Sequence, residues 1–374
     1  MKKRTQGGLA SVIAGESSIC TVGVAGKGLN YRGYSILDLA RFSNYEEVAY
    51  LILYGELPNQ VQLKSYQETL VKKRTLPATL KEILVRLPKS TSPMDVLRTG
   101  ISALGCIEPE TEYSNHYELA DRLIAVMPNI LMFWYLQSHY GREPDTNRFD
   151  YNTMASFILG ALKGEEATEE EIKALDVSLI LYAEHEFNAS TFAARVTAST
   201  LSDFYSTITT AIGTLRGSLH GGANEAAMLL VRRMDEVTDV EQEIKNALSR
   251  KEKIMGFGHR VYSERDPRNE VIKSCSSRLS KGHPNERFYA LSEQIEATMW
   301  QEKKLFPNLD FYSATAYYYM GIDIALYTPL FVCSRMVGWA AHVIEQRENN
   351  ALIRPAAQYI GYAERDYISL EKRN

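Results

Sequence analysis

The sequence predicts an all-α protein, and three observations carry that expectation. No proline occurs between Pro144 and Pro267, and such a stretch suits long helices because interior proline breaks the i→i−4 ladder. Apolar residues recur at steps of three and four in 189–212 and 329–347, which is the helical period. Strand signals are confined to one short region near the start.

In chain order, residues 19–36 (ICTVGVAGKGLNYRGYSI) predict a small hairpin with Ala25-Gly26-Lys27-Gly28 at the turn. Ser43-x-x-Glu46 reads as a capping box opening a helix, which Gly55 and Pro58 stop. In 189–212, Phe192, Val196, Phe204, Ile208 and Ile212 share one helical face. In 329–347, Thr328 is the expected cap and Pro329 occupies the first turn, where proline is tolerated. Leu330, Cys333, Val337, Ala340 and Ile344 then form the apolar stripe. The charged run 165–173 reads as solvated loop or helix start. No repeat, low-complexity tract or linker-like composition shift occurs, so a second domain is expected to be intimately joined to the first.

The 374 residues are 45% hydrophobic and 24% charged, ordinary usage for a globular chain of two domains or one large one. Lys+Arg of 42 against Asp+Glu of 46 gives a net charge of −4. A general nucleic-acid binder would carry a basic excess, so that class is set aside, while an anionic substrate is not. No apolar run approaches the ~18 residues of a membrane span. The nearest, 329–344, is interrupted by Arg335 and His342. Lys2, Lys3 and Arg4 precede a segment, 9–15, too short and polar for a secretory signal. Cys20, Cys106, Cys275 and Cys333 are scattered. They are expected to be reduced thiols in a cytoplasmic protein rather than a disulfide framework or a zinc site.

Three of the seven histidines stand in glycine-rich or acidic settings: Glu184-His185-Glu186, Leu219-His220-Gly221-Gly222 and Gly256-Phe257-Gly258-His259-Arg260. Glycine beside histidine allows close approach of a ligand to both imidazole and backbone N–H. Each motif alone is more often a turn beside a structural histidine, but three of them so near together point to a shared site. Asp310 follows Pro307-Asn308-Leu309; it reads equally as a helix N-cap or as a partly desolvated general base. Arg268, Arg335 and Arg354 supply forks suited to carboxylates. Arg335 stands out because it sits one turn after Phe331 on the most apolar helix.

Competing motifs fail. Gly256-x-Gly258 lacks the third glycine of a dinucleotide loop, since position 261 is Val. Gly217-Ser218-Leu219-His220-Gly221 is not a nucleophile elbow, which needs glycine at 216 and 220. No H-E-x-x-H occurs. His185, His220, His259 and Asp310 have the chemistry of metal ligands, but flanking arginines favour a polycarboxylate over a cation.

At this point the chain resembles the citrate synthase family from end to end. The resemblance rests on SSICTVGVAGKGLNYRGYSILDLA at 17–40, EHEFNASTFAARV at 184–196, GSLHGGANE at 217–225, GFGHRVYSERDPR at 256–268, NLDFYSA at 308–314 and FVCSRMVGWAAHVIEQRENNALIRP at 331–355. Within the family, the stretch from Thr298-Met299-Trp300 to Arg354-Pro355 most resembles the 2-methylcitrate synthases. Ser218-Leu219, before His-Gly-Gly, is closer to ordinary citrate synthases.

The resemblance implies a two-domain helical homodimer with a small N-terminal hairpin. Residues 1–221 and 321–374 would form the large domain, and 222–320 a small one closing over the site. It implies condensation of an acyl-CoA, propionyl-CoA by preference, with oxaloacetate and water, giving 2-methylcitrate and CoA. The alternative is citrate synthesis from acetyl-CoA. By the same resemblance, Asp310 would remove the acyl α-proton, His220 would bond the thioester oxygen, and His259 would polarise and protonate the oxaloacetate carbonyl. His185, Phe331, Arg268 and Arg335 would hold oxaloacetate, with Arg354 reaching over from the partner subunit and Arg74 a weaker candidate for an anionic contact. Lys253, Ile254, Met255, Gly256 and Phe257 would border the CoA, and Phe311 and Tyr312 are candidate liners of the acyl pocket. No metal, prosthetic group, nucleic acid or membrane is expected. A catalytically silent CoA- or dicarboxylate-binding dimer and a metal-dependent hydrolase are the competing classes.

Overall fold

The computed structural model describes residues 9, 12–23, 28–146, 151–164 and 167–373. Near the start, β1 (Cys20–Val22), β2 (Leu29–Tyr31) and β3 (Tyr34–Ser35) form an antiparallel sheet in that order, with Cys20 opposite Tyr31 and Val22 opposite Leu29. The predicted hairpin is therefore present and carries a third strand. Residues 25–27 of its predicted turn lie outside the described residues. Alternation puts Cys20, Val22, Leu29 and Tyr31 on the buried face.

Among the described residues, the rest is helix and loop. The first ten helices are α1 (Ile36–Phe42), α2 (Tyr45–Tyr54), α3 (Gln60–Lys73), α4 (Ala78–Val85), α5 (Pro93–Ile107), α6 (His116–Tyr140), α7 (Met154–Lys163), α8 (Glu169–Tyr182), α9 (Ala189–Ser199) and α10 (Phe204–Leu215). There follow α11 (Ala223–Met234), α12 (Val240–Ser249), α13 (Pro267–Ser280), α14 (Arg287–Lys303), α15 (Leu309–Tyr319) and α16 (Tyr327–Glu348). The proline-free stretch holds α7 to α12, as its composition predicts.

Several local expectations shift when the chain folds. The start of α2 is capped by Asn44, whose side chain accepts from Glu47 N–H; Ser43 bonds the Glu47 carboxylate instead. The cap thus lies one residue later than predicted, because Glu46 turns inward and takes the Met154 N–H. Burial, with Asp176 nearby, raises the Glu46 pKa to about 7. Gly55 ends α2 with φ of 91°, as expected. The stretch 189–212 is two helices rather than one, broken at 200–203, where Asp203 caps α10. Phe204, Ile208 and Ile212 are buried, whereas α9 turns Ala194, Arg195 and Ala198 inward and leaves Phe192 and Val196 half-buried. Thr328 lies inside the first turn of α16, and its N–H and hydroxyl go to Glu225 at the start of α11.

Helix α16 is the axis of the core. Its residues from Tyr327 to Ile344 are all buried, and α2, α5, α6, α8, α9 and α10 pack around it. By length and composition α6 and α16 would each cross a bilayer, but 89% of each apolar window is buried inside the molecule, which makes them core helices here. Helices α11 to α15 pack largely on each other, α13 against α15, α11 against α15 and α12 against α14. This group touches the rest mainly through α13 on α8 and α1, α15 on α8, and α11 on α16. Beyond α16 the chain runs without regular structure to a short 3-10 turn at Leu370–Lys372, and Tyr359, Ile360, Tyr362 and Tyr367 are each at least three-quarters exposed.

Candidate active site

The segment 183–188 between α8 and α9 presents His185. It is seated against α16 at Gly338, where a Cβ would lie 2.2 Å from Glu184 Oε2 and 2.5 Å from the Ala183 carbonyl. Only glycine permits that approach. Glu184 is fully buried, and its Oε1 lies 3.0 Å from His342 Nε2, whose Nδ1 lies 3.0 Å from Arg195. The arginine can only donate, so His342 Nδ1 accepts and its Nε2–H points to Glu184. The loop is thus pinned from behind, and His185 faces Tyr262 (3.1 Å from Nε2 to the hydroxyl) and the His259 ring, 5.0 Å away. Burial, then Arg268, holds the His185 pKa well below the usual histidine value.

His220 sits between α10 and α11. The backbone N–H of Ser190, in the first turn of α9, donates to its Nε2 at 3.2 Å, and the Ser190 hydroxyl is 2.8 Å from the same nitrogen. The serine is held in turn by Trp339 Nε1 and by Asn188, the cap of α9. A nitrogen that accepts from an amide carries no proton, so the His220 proton is on Nδ1. Burial, reinforced by Arg335, lowers its pKa to about 4. His259 is the mirror case. Its Nδ1 accepts from the N–H groups of Val261 and Tyr262, at 3.0 and 3.3 Å, leaving Nε2–H to donate. Burial and Arg268 lower its pKa to about 4. Both are neutral donors near pH 7, with opposite nitrogens offered to the site.

Asp310 is the second residue of α15. Asn308 caps that helix, accepting from Asp310 N–H at 3.0 Å, so the carboxylate is not consumed as the cap. Its Oδ1 accepts from the Tyr182 hydroxyl at 2.5 Å. Burial raises the Asp310 pKa, with Tyr182 and Arg268 opposing. The 256–258 segment runs beside 306–308: Gly258 N–H bonds the Phe306 carbonyl at 2.8 Å and Asn308 N–H the Gly256 carbonyl at 2.9 Å. At Gly256 (φ 88°) a Cβ would lie 3.0 Å from the Phe311 Cβ, so glycine permits this close approach. Of the segment predicted to border CoA, Lys253 is exposed, Met255 and Phe257 are half-buried, and Ile254 and Gly256 are buried. The segment therefore runs beside the start of α15, which carries Asp310.

Arg268, in the first turn of α13, forks onto Asp266 with bonds of 2.9 and 2.8 Å, and Asp266 also takes the Leu309 N–H. Burial would raise the Asp266 pKa, but the guanidinium holds it low. Arg335 is buried in α16, with its Cζ 4.7 Å from the Phe331 centroid. Its Nε donates to the Tyr182 carbonyl at 2.7 Å, while its Nη1 is buried without a partner among the described residues. An orphaned guanidinium nitrogen is costly, and an anionic ligand would satisfy it. The Phe331 ring packs tilted against Tyr182, 4.5 Å between centroids, and lies 6.4 Å from His220, linking Asp310, Tyr182, Phe331, Arg335 and His220 in one chain of contacts.

Four expected residues lie elsewhere. Arg74 is buried at the end of α3, donates to the Tyr151 carbonyl at 2.9 Å and lies over the Phe157 ring; it is a packing residue for α7, not an anion contact. Phe311 and Tyr312 are fully buried, one against Phe257 and the other bonded to Glu296, so they fill the core rather than line a pocket. Arg354 is exposed in the irregular tail. Sequence reasoning missed Tyr182, Ser190, Asp266 and Tyr262; the only available signal was their place beside motif residues.

A family model for the citrate synthase C-terminal domain matches residues 8–356. The chain is 53% identical over 372 residues to a 2-methylcitrate synthase of Shewanella oneidensis, covering 100% of this chain and 99% of the relative. It is 42% identical over 370 residues to citrate synthase 2 of Bacillus subtilis, covering 98% of each. Among solved structures it is similar to the citrate synthase of Thermotoga maritima, with TM-score 0.87 and 36% identity over 99% of this chain and 100% of that one. It is likewise similar to the citrate synthase of Thermoplasma acidophilum in ternary complex with carboxymethyl coenzyme A and oxaloacetate, with TM-score 0.87 and 34% identity over 97% of each chain.

Proposed function

The chain belongs to the citrate synthase family, and from that premise we propose how its residues condense an acyl-CoA with oxaloacetate and water, propionyl-CoA being preferred, to release 2-methylcitrate and CoA. The observation that carries the reading is the pair of neutral histidines offering opposite nitrogens beside a buried carboxylate and two buried arginines.

A thioester α-proton is weakly acidic, so the carboxylate that removes it needs a donor aimed at the enolate oxygen as charge develops. Asp310 is the base and His220 Nδ1–H is that donor. His259 Nε2–H addresses the oxaloacetate carbonyl, where negative charge grows as the new carbon–carbon bond forms. Arg268, Arg335 and His185 receive the oxaloacetate carboxylates, and the Nη1 of Arg335, without a partner among the described residues, is the clearest donor for one. The 253–257 segment borders the CoA beside Asp310. Water then cleaves the thioester. Residues 222–320 act as the small domain that closes over 1–221 and 321–374, keeping water out until condensation is complete.

The protein works as a homodimer. The tyrosines and isoleucine of the tail stay exposed among the described residues, and a partner would cover them while taking Arg354 into its site. No metal or prosthetic group is needed: His220 and His259 each already commit one ring nitrogen to an amide, and Arg268 and Arg335 make the surroundings cationic.

The propionyl preference is supported by the 53% identity to a 2-methylcitrate synthase. Ser218-Leu219 and the 42% identity to a citrate synthase favour the acetyl-CoA alternative less strongly. The test is release of free thiol from propionyl-CoA with oxaloacetate, with the product identified by mass. Activity dependent on oxaloacetate, surviving exhaustive chelation and lost in Asp310→Asn, is expected. No thiol release from any short acyl-CoA would overturn the reading in favour of a silent binding protein, and loss on chelation would favour a metallohydrolase.

A further inference from the structure

The Asp310 carboxylate is asymmetric. Oδ1 takes the Tyr182 hydroxyl at 2.5 Å, within the range of a charge-assisted O–H···O⁻ bond. Among the described residues no hydrogen bond reaches Oδ2. Tyr182 is itself held at three points. Its carbonyl takes Arg335 Nε, its ring packs against Phe331, and its hydroxyl lies 3.1 Å from Ser313 Oγ, which donates at 2.6 Å to the Leu309 carbonyl. That hydroxyl has one proton, and an ionised carboxylate only accepts, so the proton points at Oδ1.

From this geometry, and resting on the function proposed above, we propose that Tyr182 is the positioning residue of the base: it occupies Oδ1, leaves Oδ2 as the oxygen that takes the α-proton, and keeps Asp310 ionised in a buried site. In the step itself, the α C–H bond breaks and its proton bonds to Oδ2. The electron pair moves into the thioester to form the enolate, whose oxygen accepts from His220 Nδ1–H. Asp310 ends neutral, still accepting from Tyr182 at Oδ1 and carrying its new proton on Oδ2. No other reactant is required.

The groups facing Asp310 are few. Arg268 and Asp266 come from the start of α13, Arg335 from α16 and Tyr317 from α15 itself. On the other elements packed against α15, Glu225 of α11 is bonded to Thr328, and Glu296 of α14 to Tyr312 and Lys273. Burial pushes the Asp310 pKa up and Tyr182 is the first influence pulling it down. Removing the phenol hydroxyl therefore leaves the cations in place and removes one specific bond to the charged form, which raises the pKa of the base.

The experiment compares pH profiles of kcat for wild type, Tyr182→Phe and the protein carrying 3-fluorotyrosine at position 182, whose more acidic hydroxyl is the stronger donor. The acid limb is expected to move up by about one pH unit in Tyr182→Phe and down in the fluorinated protein, with oxaloacetate affinity held within about twofold in both. A limb at the same pH in all three, or one moving the other way, overturns the proposal, as does a loss in Tyr182→Phe confined to KM. The same comparison is read without turnover by difference infrared titration of the Asp310 carboxyl, with Asp310→Asn as the blank. An inactive wild type would sink the proposed function; an unshifted carboxyl titration in Tyr182→Phe would sink this inference alone.

Discussion

On the side proposed for the acyl group, Asp310 meets the Tyr182 phenol, and the Tyr182 ring packs tilted against Phe331 with His220 beyond. On the side proposed for oxaloacetate, Arg268 forks onto the buried Asp266, His185 meets Tyr262 beside the His259 ring, and Arg335 lies near His185. The first region holds a single proton acceptor under desolvation, so its strength is set by individual hydrogen bonds. The second holds fixed cations whose fork geometry suits carboxylates. The contrast teaches that damage to the two sides should separate: acyl-side changes belong in kcat, oxaloacetate-side changes in affinity.

The sharpest way to break that contrast is Asp310→Asn. Loss of a general base costs on the order of 10²–10⁴ in rate, while oxaloacetate binding by calorimetry should stay close to wild type. Near-normal kcat would remove Asp310 from the mechanism.

Arg335→Lys keeps charge but loses both the fork and the bond to the Tyr182 carbonyl. Hydrogen bonds to charged groups are worth about 1.5–3 kcal/mol, so oxaloacetate affinity should fall roughly tenfold to a hundredfold. Unchanged affinity would discard the clamp. Arg354→Ala should weaken oxaloacetate binding about tenfold on the same reasoning. Mixing it with Asp310→Asn sharpens the partner-subunit assignment: hybrid dimers should contain sites that turn over with wild-type oxaloacetate KM, which neither variant shows alone, and turnover only at the weakened KM would return Arg354 to its own chain.

A smaller effect comes from pH. His220 and His259 are held near pKa 4 by burial, against 6.5 in the unfolded chain. Between those values the unfolded state binds more protons, so stability is complete above about pH 6.5 and is lost as pH falls toward 4. Thermal midpoints from pH 7 to 5 should decline, and decline less in His259→Asn. The smallest kinetic effect belongs to Arg74→Met: kcat and both KM values within about twofold, with a lowered thermal midpoint because the Tyr151 carbonyl loses its donor. A raised oxaloacetate or CoA KM would restore Arg74 to the site.

Much of this was legible in the residues because helical period and motif chemistry are local properties. The stripe on 329–347 located the core helix, and glycines beside His220 and His259 marked backbone that approaches other groups closely. What was illegible depended on contacts across the chain. Ser43-x-x-Glu46 fits a capping box, but Glu46 is drawn into the core by Met154 N–H, so Asn44 caps instead. Spacing alone joined 189–212 into one face because the break at 200–203 contains neither Pro nor Gly. Arg74 and Arg335 are both buried arginines; only their neighbours tell packing from binding. Tyr182 carries no motif of its own, and its meaning appears only when α8 is laid against α15.

The most direct test of the central claim is the ratio of kcat/KM for propionyl-CoA to that for acetyl-CoA, each with saturating oxaloacetate. One methylene is worth about 1–3 kcal/mol in a fitted pocket, or roughly 10–200-fold. Both substrates should therefore turn over, with propionyl-CoA ahead by a factor in that range. A ratio favouring acetyl-CoA would contradict the account and make the protein a citrate-forming enzyme with the same base and the same two histidine donors.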